Sequence, residues 1–122
     1  MENLRINATS KSFEIVCERG RIQIRGCSII NDPRTFFHPL QTWVGEYIKD
    51  PPDETEITIK IDYIDSASSK FIFDILKNLE KIFLLNKTVS LKWYYDIHDP
   101  EILEIGEILG GRIKIPFKFI QY

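Results

Sequence analysis

The feature that most constrains the fold is a regular alternation of apolar and polar residues in each segment that reads as a strand. In the clearest case, Ile57, Ile59 and Ile61 alternate with Thr58, Lys60 and Asp62. Strands buried on both faces of a parallel sheet would be continuous apolar runs instead. We therefore expect helices mainly on one face of the sheet, and a polar face that is either solvated or meets a partner. Its residues are Arg21, Arg25, Thr58, Lys60, Lys92 and Lys114.

Apolar residues at steps of three and four predict three helices between the strands. The first is expected to begin around His38, with Asp32-Pro33 as a separate turn, because Pro39 is tolerated only in a first helical turn. The second is expected over residues 68–84. The third is expected to begin at Asp99-Pro100, a capping side chain followed by proline, and to end at Gly110-Gly111.

The strands complete the order of elements. Residues 12–17 and 21–25 form a predicted hairpin around Gly20, further strands surround Ile59 and Leu91, and a last strand is expected over residues 113–119. The order β-β-α-β-α-β-α-β predicts an α/β fold with a mixed β-sheet and right-handed crossovers. A chain of 122 residues is long enough for one core, so residues 1–122 are expected to form a single domain.

Composition excludes several classes of function. The net charge of −2 gives no bulk attraction to nucleic acid or an anionic membrane. No apolar run approaches the roughly 20 residues of a membrane span, and residues 1–9 lack the apolar stretch of a signal peptide. Cys17 and Cys27 form no metal or redox motif. A cytoplasmic protein with reduced thiols is therefore expected.

Catalytic and metal-binding patterns are not evident. His38 and His98 both lie next to element boundaries, where structural roles account for them, and no nucleophile elbow or glycine-rich phosphate loop occurs. The acidic cluster near Asp53 matches no calcium loop. Acidic residues around Asp99 are explained by the dipole at a helix start. The sequence therefore predicts no enzyme, no metal site and no cofactor.

Residues 63–70 are the segment in which a functional site is expected. Asp65, Ser66, Ser68 and Ser69 lie where a strand meets a long helix, and free backbone N–H groups at a helix start favour an anion. A phosphoryl group there would add about −1.5 to −2 charges, although Asp65 would oppose it. The structural alternative is that Ser66 or Ser68 only caps the helix.

The same segment carries a family resemblance. It reads Tyr-Ile-Asp-Ser-Ala-Ser-Ser-Lys, which resembles the Tyr-Phe-Asn-Thr-Ser-Ser-Ser-Lys signature of the SiaC family of bacterial regulatory phosphoproteins. Nearly the whole chain resembles this family in order. The further matching positions are Pro39-Leu40 with Trp43 and Tyr47, residues 89–94, Gly106-Glu107 and Pro116-Phe117.

The SiaC family is similar to the STAS domains, the anti-sigma-factor antagonists. These carry an Asp-Ser pair at a strand-to-helix junction, with the serine phosphorylated, and Asp65-Ser66 matches that pair. The resemblance therefore implies a STAS-like domain that is phosphorylated on Ser66. It also implies partner binding by this segment and the adjoining helix start. The residues concerned are Tyr63, Asp65, Ser66, Ala67, Ser68, Ser69 and Lys70.

The resemblance also implies a set of partners. They are a serine/threonine kinase of the anti-sigma type, a metal-dependent phosphatase, and a diguanylate cyclase that the unphosphorylated form binds and activates. Asp65 and Ala67 depart from the asparagine and serine of the family signature, whereas Ser66 keeps a phosphorylatable hydroxyl in place of threonine.

Two other hypotheses remain open at this level. The first is a STAS-like interaction module without a covalent switch, in which Ser66 only caps the helix. The second is a small-molecule-binding domain with a pocket near Ser66, Tyr63 and His98, lined by Tyr94 and Tyr95.

Overall fold

A computed structural model describes residues 2–122; Met1, with which the predicted domain begins, lies outside the described residues. Nine elements follow one another along this part of the chain. They are β1 (Leu4–Ile6), β2 (Glu14–Glu18), β3 (Arg21–Ser28), α1 (Pro33–Tyr47), β4 (Glu54–Ile64), α2 (Ser66–Leu84), β5 (Thr88–Tyr95), α3 (Pro100–Arg112) and β6 (Phe117–Gln121). Within residues 2–122, no helix is both long and apolar enough to cross a membrane.

The strands form one mixed sheet in the order β1-β2-β3-β4-β5-β6. Strands β1 to β3 pair antiparallel, and β3 to β6 pair parallel. Each parallel connection moves one strand further in the same direction, so right-handed crossovers place all three helices on the same face. The predicted α/β fold with a one-sided helical layer is confirmed.

The core lies between that helical layer and one face of the sheet. Ile24, Ile59 and Trp93, on three different strands, are at most 1% exposed. Phe37 of α1 stacks on Phe71 of α2 with 5.2 Å between ring centroids, which joins the first two helices. Cys17 also lies in this core, and burial raises the pKa of its thiol to about 12.

Helix α1 begins earlier than predicted. Asp32 and Pro33 are its cap and first residue, since Asp32 Oδ1 accepts the Thr35 N–H at 3.3 Å. The prediction assigned the first turn to Pro39, which instead lies inside the helix. Proline costs one backbone hydrogen bond there. Burial of Phe37 and Leu40 on either side of Pro39 offsets that loss.

Two strand predictions are corrected. Strand β1 was not predicted, because three residues are too short a run to show alternation, and its pairing with β2 adds one strand to the predicted order. The last strand begins at Phe117 rather than at residue 113. Ile113 and Ile115 are buried before it, and Lys114, predicted on the polar face, donates its backbone N–H to Glu80 of α2.

Candidate functional site

The site lies at the edge of the sheet where the four parallel strands end. Strand β3 ends at Ser28, β4 at Ile64, β5 at Tyr95 and β6 at Gln121. Because parallel strands share one direction, these four ends and the segments after them lie along one edge, here called the carboxyl edge. Crevices outside this edge are the usual binding sites of open α/β sheets.

Asp65 connects β4 to α2 as the cap of the helix. Its Oδ1 accepts the backbone N–H of Ser68 at 2.8 Å, and its carbonyl accepts the N–H of Ser69 at 3.0 Å. The structural alternative predicted that Ser66 or Ser68 caps the helix. This is wrong, because the capping residue is Asp65. Helix α2 begins at Ser66, two residues before the predicted start at Ser68.

The three serines of the segment have different environments. Ser66 is the first residue of α2 and is exposed, and within residues 2–122 its hydroxyl has no hydrogen-bond partner. Ser68 is fully buried, and its Oγ lies 2.7 Å from Oγ of Ser28. Ser69 is half-buried. Of the three hydroxyls, that of Ser66 is on the most exposed residue, whereas that of Ser68 is inaccessible in the folded helix start.

Ser68 differs from the other predicted partner-binding residues. Its side chain faces the interior, since it lies on the buried side of the first turn of α2, so it supports the site from within. Tyr63, Ala67 and Lys70 are exposed, and Asp65 is half-buried. The segment thus presents a surface of mixed character, with one phenol, one carboxylate and one ammonium group around Ser66.

Ser28 is a residue of the site that the sequence did not reveal. Its carbonyl accepts the backbone N–H of Asp65 at 3.1 Å, and its hydroxyl pairs with Ser68. The start of α2 is thus tied to the end of the neighbouring strand. A signal existed in the sequence: the alternation of Ile22 and Ile24 continues to position 28, where a small polar residue at a core position indicates a buried partner.

The backbone at the start of α2 favours negative charge near Ser66. The N–H groups of Ser66 and Ala67 are in the first turn, where a helix offers no intrahelical acceptor. The N–H of Ser68 is already bound by Asp65. An anionic group on Ser66 would therefore meet two N–H groups and the positive end of the helix dipole, with the Asp65 carboxylate as the opposing charge.

The residues of the small-molecule hypothesis are not brought into one pocket. His98 lines a cavity of about 300 Å³ at the carboxyl edge, together with Asp62, Asp96, Asp99, Ile61 and Tyr122. Ser66, Tyr63, Tyr94 and Tyr95 do not line it. His38 lines a different groove, beside Trp43 of α1. Within residues 2–122, no group of three or more histidine, cysteine or acidic side chains is arranged to hold a metal ion.

Comparison with known proteins identifies the family. A family model described as the SiaC family regulatory phosphoprotein matches residues 6–122 of the chain. The chain belongs to the SiaC family. This confirms the resemblance drawn from residues 63–70 and the regulatory, non-enzymatic role expected from the sequence.

Two similar proteins come from Pseudomonas aeruginosa. An uncharacterized protein of strain UCBPP-PA14 is 27% identical over 100 residues, which cover 82% of this chain and 79% of the relative. The structure of SiaC of P. aeruginosa covers 100% of both chains with a TM-score of 0.91 at 26% identity.

A second solved structure shows a SiaC protein with a partner. It is the crystal structure of the diguanylate cyclase SiaD in complex with its activator SiaC, from P. aeruginosa. Its SiaC-like chain matches with a TM-score of 0.90 at 25% identity, over 98% of this chain and 99% of the other.

Proposed function

We propose that this SiaC family protein is a phosphorylation-controlled activator of a diguanylate cyclase, with Ser66 as the phosphorylated residue. In the proposal, a serine/threonine kinase of the anti-sigma type adds the phosphoryl group and a metal-dependent phosphatase removes it, in the cytoplasm. The observation that carries the proposal is the exposed hydroxyl of Ser66 at the first position of α2, free of the capping role.

The geometry supports Ser66 as a kinase substrate. Phosphoryl transfer requires the attacking hydroxyl in line with the leaving group, so the acceptor must protrude from its surroundings. Ser66 satisfies this at a helix start, whereas Ser68 is committed to a buried hydrogen bond with Ser28. Because Asp65 holds the cap, modification of Ser66 breaks no hydrogen bond within the described residues.

The phosphoryl group would change the local surface charge without changing the conformation of the domain. It carries about −1.5 to −2 charges and three strong acceptor oxygens. The helix dipole stabilises such an anion by roughly 0.3–1 kcal/mol. Asp65 and Ser28 hold the start of α2 by hydrogen bonds that do not involve the Ser66 hydroxyl, so we expect them to persist after phosphorylation. A partner packed over Ser66 without a matching cation would have to dehydrate a dianion, and its binding would weaken.

The proposed partner follows from the family. SiaC of P. aeruginosa is the activator of the diguanylate cyclase SiaD, and this chain has the same fold over its whole length. We assign the binding surface to the exposed part of the segment and to the half-buried Asp65 and Ser69. Its residues are Tyr63, Asp65, Ser66, Ala67, Ser69 and Lys70.

The test is stimulation of a purified diguanylate cyclase of the same organism, measured as formation of cyclic-di-GMP. We expect the wild type and Ser66→Ala to stimulate equally, and Ser66→Asp to stimulate weakly. Ser90→Asp is the matched control, because it adds the same charge at an exposed position of β5 remote from the carboxyl edge. Equal stimulation by Ser66→Asp would favour an interaction module without a covalent switch, and no stimulation by any form would reject the cyclase as partner.

A further inference from the structure

Three large apolar side chains are exposed along the carboxyl edge, on segments that belong to three neighbouring strands. They are Ile29 after β3 (53% exposed), Tyr63 near the end of β4 (51%) and Ile97 after β5 (59%). We call these three residues the apolar rim. Adjacent strands are about 4.7–4.9 Å apart, so the rim extends along the edge beside the start of α2.

The rim is not a by-product of core formation. The core side chains of the same three strands, such as Ile24, Ile59 and Trp93, are almost fully buried. The rim residues instead occupy the ends of strands or the segments after them, where polar residues would serve a solvated loop equally well. Exposed apolar side chains that are grouped on one part of a surface mark an interaction site more often than scattered ones do.

Negative charge lies beside the rim. Asp62, Asp96 and Asp99 line the cavity of about 300 Å³ at the ends of β4 and β5, and Ser66 does not line it. The cavity also contains Tyr122, whose pKa is raised by burial and by these three carboxylates. Two cations lie near this group: the Lys60 ammonium is 4.4 Å from the centre of the Tyr122 ring, and Lys60 and Arg25 line a neighbouring cavity together with Asp62.

We infer that the apolar rim and the acidic cavity beside it form one docking surface for a protein segment with an apolar face and basic flanks. This inference rests on the proposed function for its assumption that a partner docks at the carboxyl edge. Apolar side chains of the partner cover Ile29, Tyr63 and Ile97, and its lysine or arginine side chains face the carboxylates. Such charge complementarity selects the partner and orients it on the surface.

Ser66, the proposed phosphorylation site, lies next to the apolar rim. Ser66 adjoins the rim through Tyr63, three residues before it, and through Ser28, which contacts Ser68 and directly precedes Ile29. The carboxylates lie along the rim, since Asp62 adjoins Tyr63 and Asp96 adjoins Ile97, but Ser66 does not line their cavity. In the inference, the cations of the partner face the cavity and its apolar part covers Ser66, so a phosphoryl group on Ser66 would weaken binding.

The test uses a synthetic amphipathic peptide with leucine on one helical face and lysine on the other. Its comparator carries glutamate in place of lysine. Binding to the full chain is followed by residue-resolved amide NMR shifts and by titration calorimetry. We expect the lysine peptide to shift the amides of Ile29, Tyr63 and Ile97, and the glutamate peptide to bind roughly tenfold more weakly or not at all.

Variants locate the effect. The double variant Ile29→Ser/Ile97→Ser should weaken binding of the lysine peptide roughly tenfold or more. The matched control is Leu84→Ser/Ile108→Ser, which removes two side chains that are 55% and 51% exposed away from the rim. All four positions are exposed, so neither double variant is expected to unfold.

The inference is overturned by any of three results. These are no binding of the lysine peptide, equal affinity for both peptides, or equal weakening in the rim variant and its control. The cyclase assay with the Ser66 variants does not use the peptides, so the docking surface and the phosphorylation switch can each fail while the other stands.

Discussion

At the scale of single residues, Asp65 and Ser66 divide two tasks that the sequence assigned to the serines. Asp65 caps α2 through the N–H of Ser68, and Ser66 keeps a free hydroxyl. Asp65→Ala should therefore lower the free energy of unfolding by about 0.5–2 kcal/mol. Ser66→Ala should change it by no more than about 0.5 kcal/mol, as at other exposed positions.

Urea denaturation followed by circular dichroism measures both values. A loss for Ser66→Ala as large as that for Asp65→Ala would contradict the division of tasks. Such a loss would instead support the alternative in which Ser66 stabilises the start of the helix.

Glu80 makes a pH-dependent contribution to the free energy of unfolding. Its carboxylate accepts the backbone N–H of Lys114 at 2.6 Å and the ammonium of Lys77 at 2.9 Å, and both hydrogen bonds lower the pKa of Glu80. A carboxyl whose pKa is lower in the folded than in the unfolded state stabilises the fold above the unfolded value. That stabilisation is lost as the pH falls through the folded pKa.

The matching test compares the wild type with Glu80→Gln by urea denaturation from pH 7 down into the acid range. At pH 7 the variant should be less stable by about 1–3 kcal/mol, because the N–H of Lys114 and the ammonium of Lys77 lose a charged acceptor. The difference should shrink as Glu80 becomes protonated in the wild type. A difference independent of pH would show that its charge does not matter.

The sequence indicates the candidate site but not its supporting contacts. Ser66 could be singled out because residues 63–70 combine small polar residues with the strand-to-helix junction and match a family signature. The sequence does not show which side-chain oxygen caps the helix, since Asp65, Ser66 and Ser68 are all residue types that cap helices well. The exact first residue of the helix decides between them. Ser28 lies 40 positions from its partner Ser68, and such a pairing follows from sheet register only.

At the scale of elements, α3 packs on the sheet through its glycines. A Cβ added to Gly106 would lie 2.5 Å from Nε1 of Trp93, and Trp93 donates that N–H to the carbonyl of Ile102 at 3.0 Å. Gly106→Ala should thus destabilise the fold by about 1–3 kcal/mol, although alanine favours helices.

Gly111→Ala is the control for this prediction, because no atom lies within 4 Å of the added Cβ on the same helix. It should leave stability unchanged or raise it by up to about 1 kcal/mol. Thermal unfolding of both variants measures the contrast. Equal effects at the two glycines would mean that close packing on Trp93 does not determine how α3 sits on the sheet.

Helix and strand boundaries show why elements are harder to predict than their order. The alternation of Ile57, Ile59 and Ile61 gave β4 and the one-sided sheet. Local rules failed where packing overrides them: α1 continues through Pro39 because its apolar stripe is buried on both sides. Strand β1 is a strand only because β2 pairs with it.

At the scale of the whole molecule, we expect phosphorylation to change a surface and leave the fold intact. In Ser66→Asp, amide NMR shifts should change around the start of α2 and along the carboxyl edge. The amide shifts of β1 and β2 and of the residues on the polar face of the sheet should not change. Shifts spread through the core would instead indicate a conformational switch, in which the hydrogen bonds of Ser28 and Asp65 break.

The proposed switch requires that Ser66 carries the phosphoryl group in the cell. The most direct measurement is intact-mass and peptide mass spectrometry on protein purified from its native cells with phosphatases inhibited. We expect a single phosphoryl group, located on Ser66, whose occupancy varies with growth conditions. An unmodified chain under all conditions, or a phosphoryl group on Ser69 with Ser66 free, would contradict it.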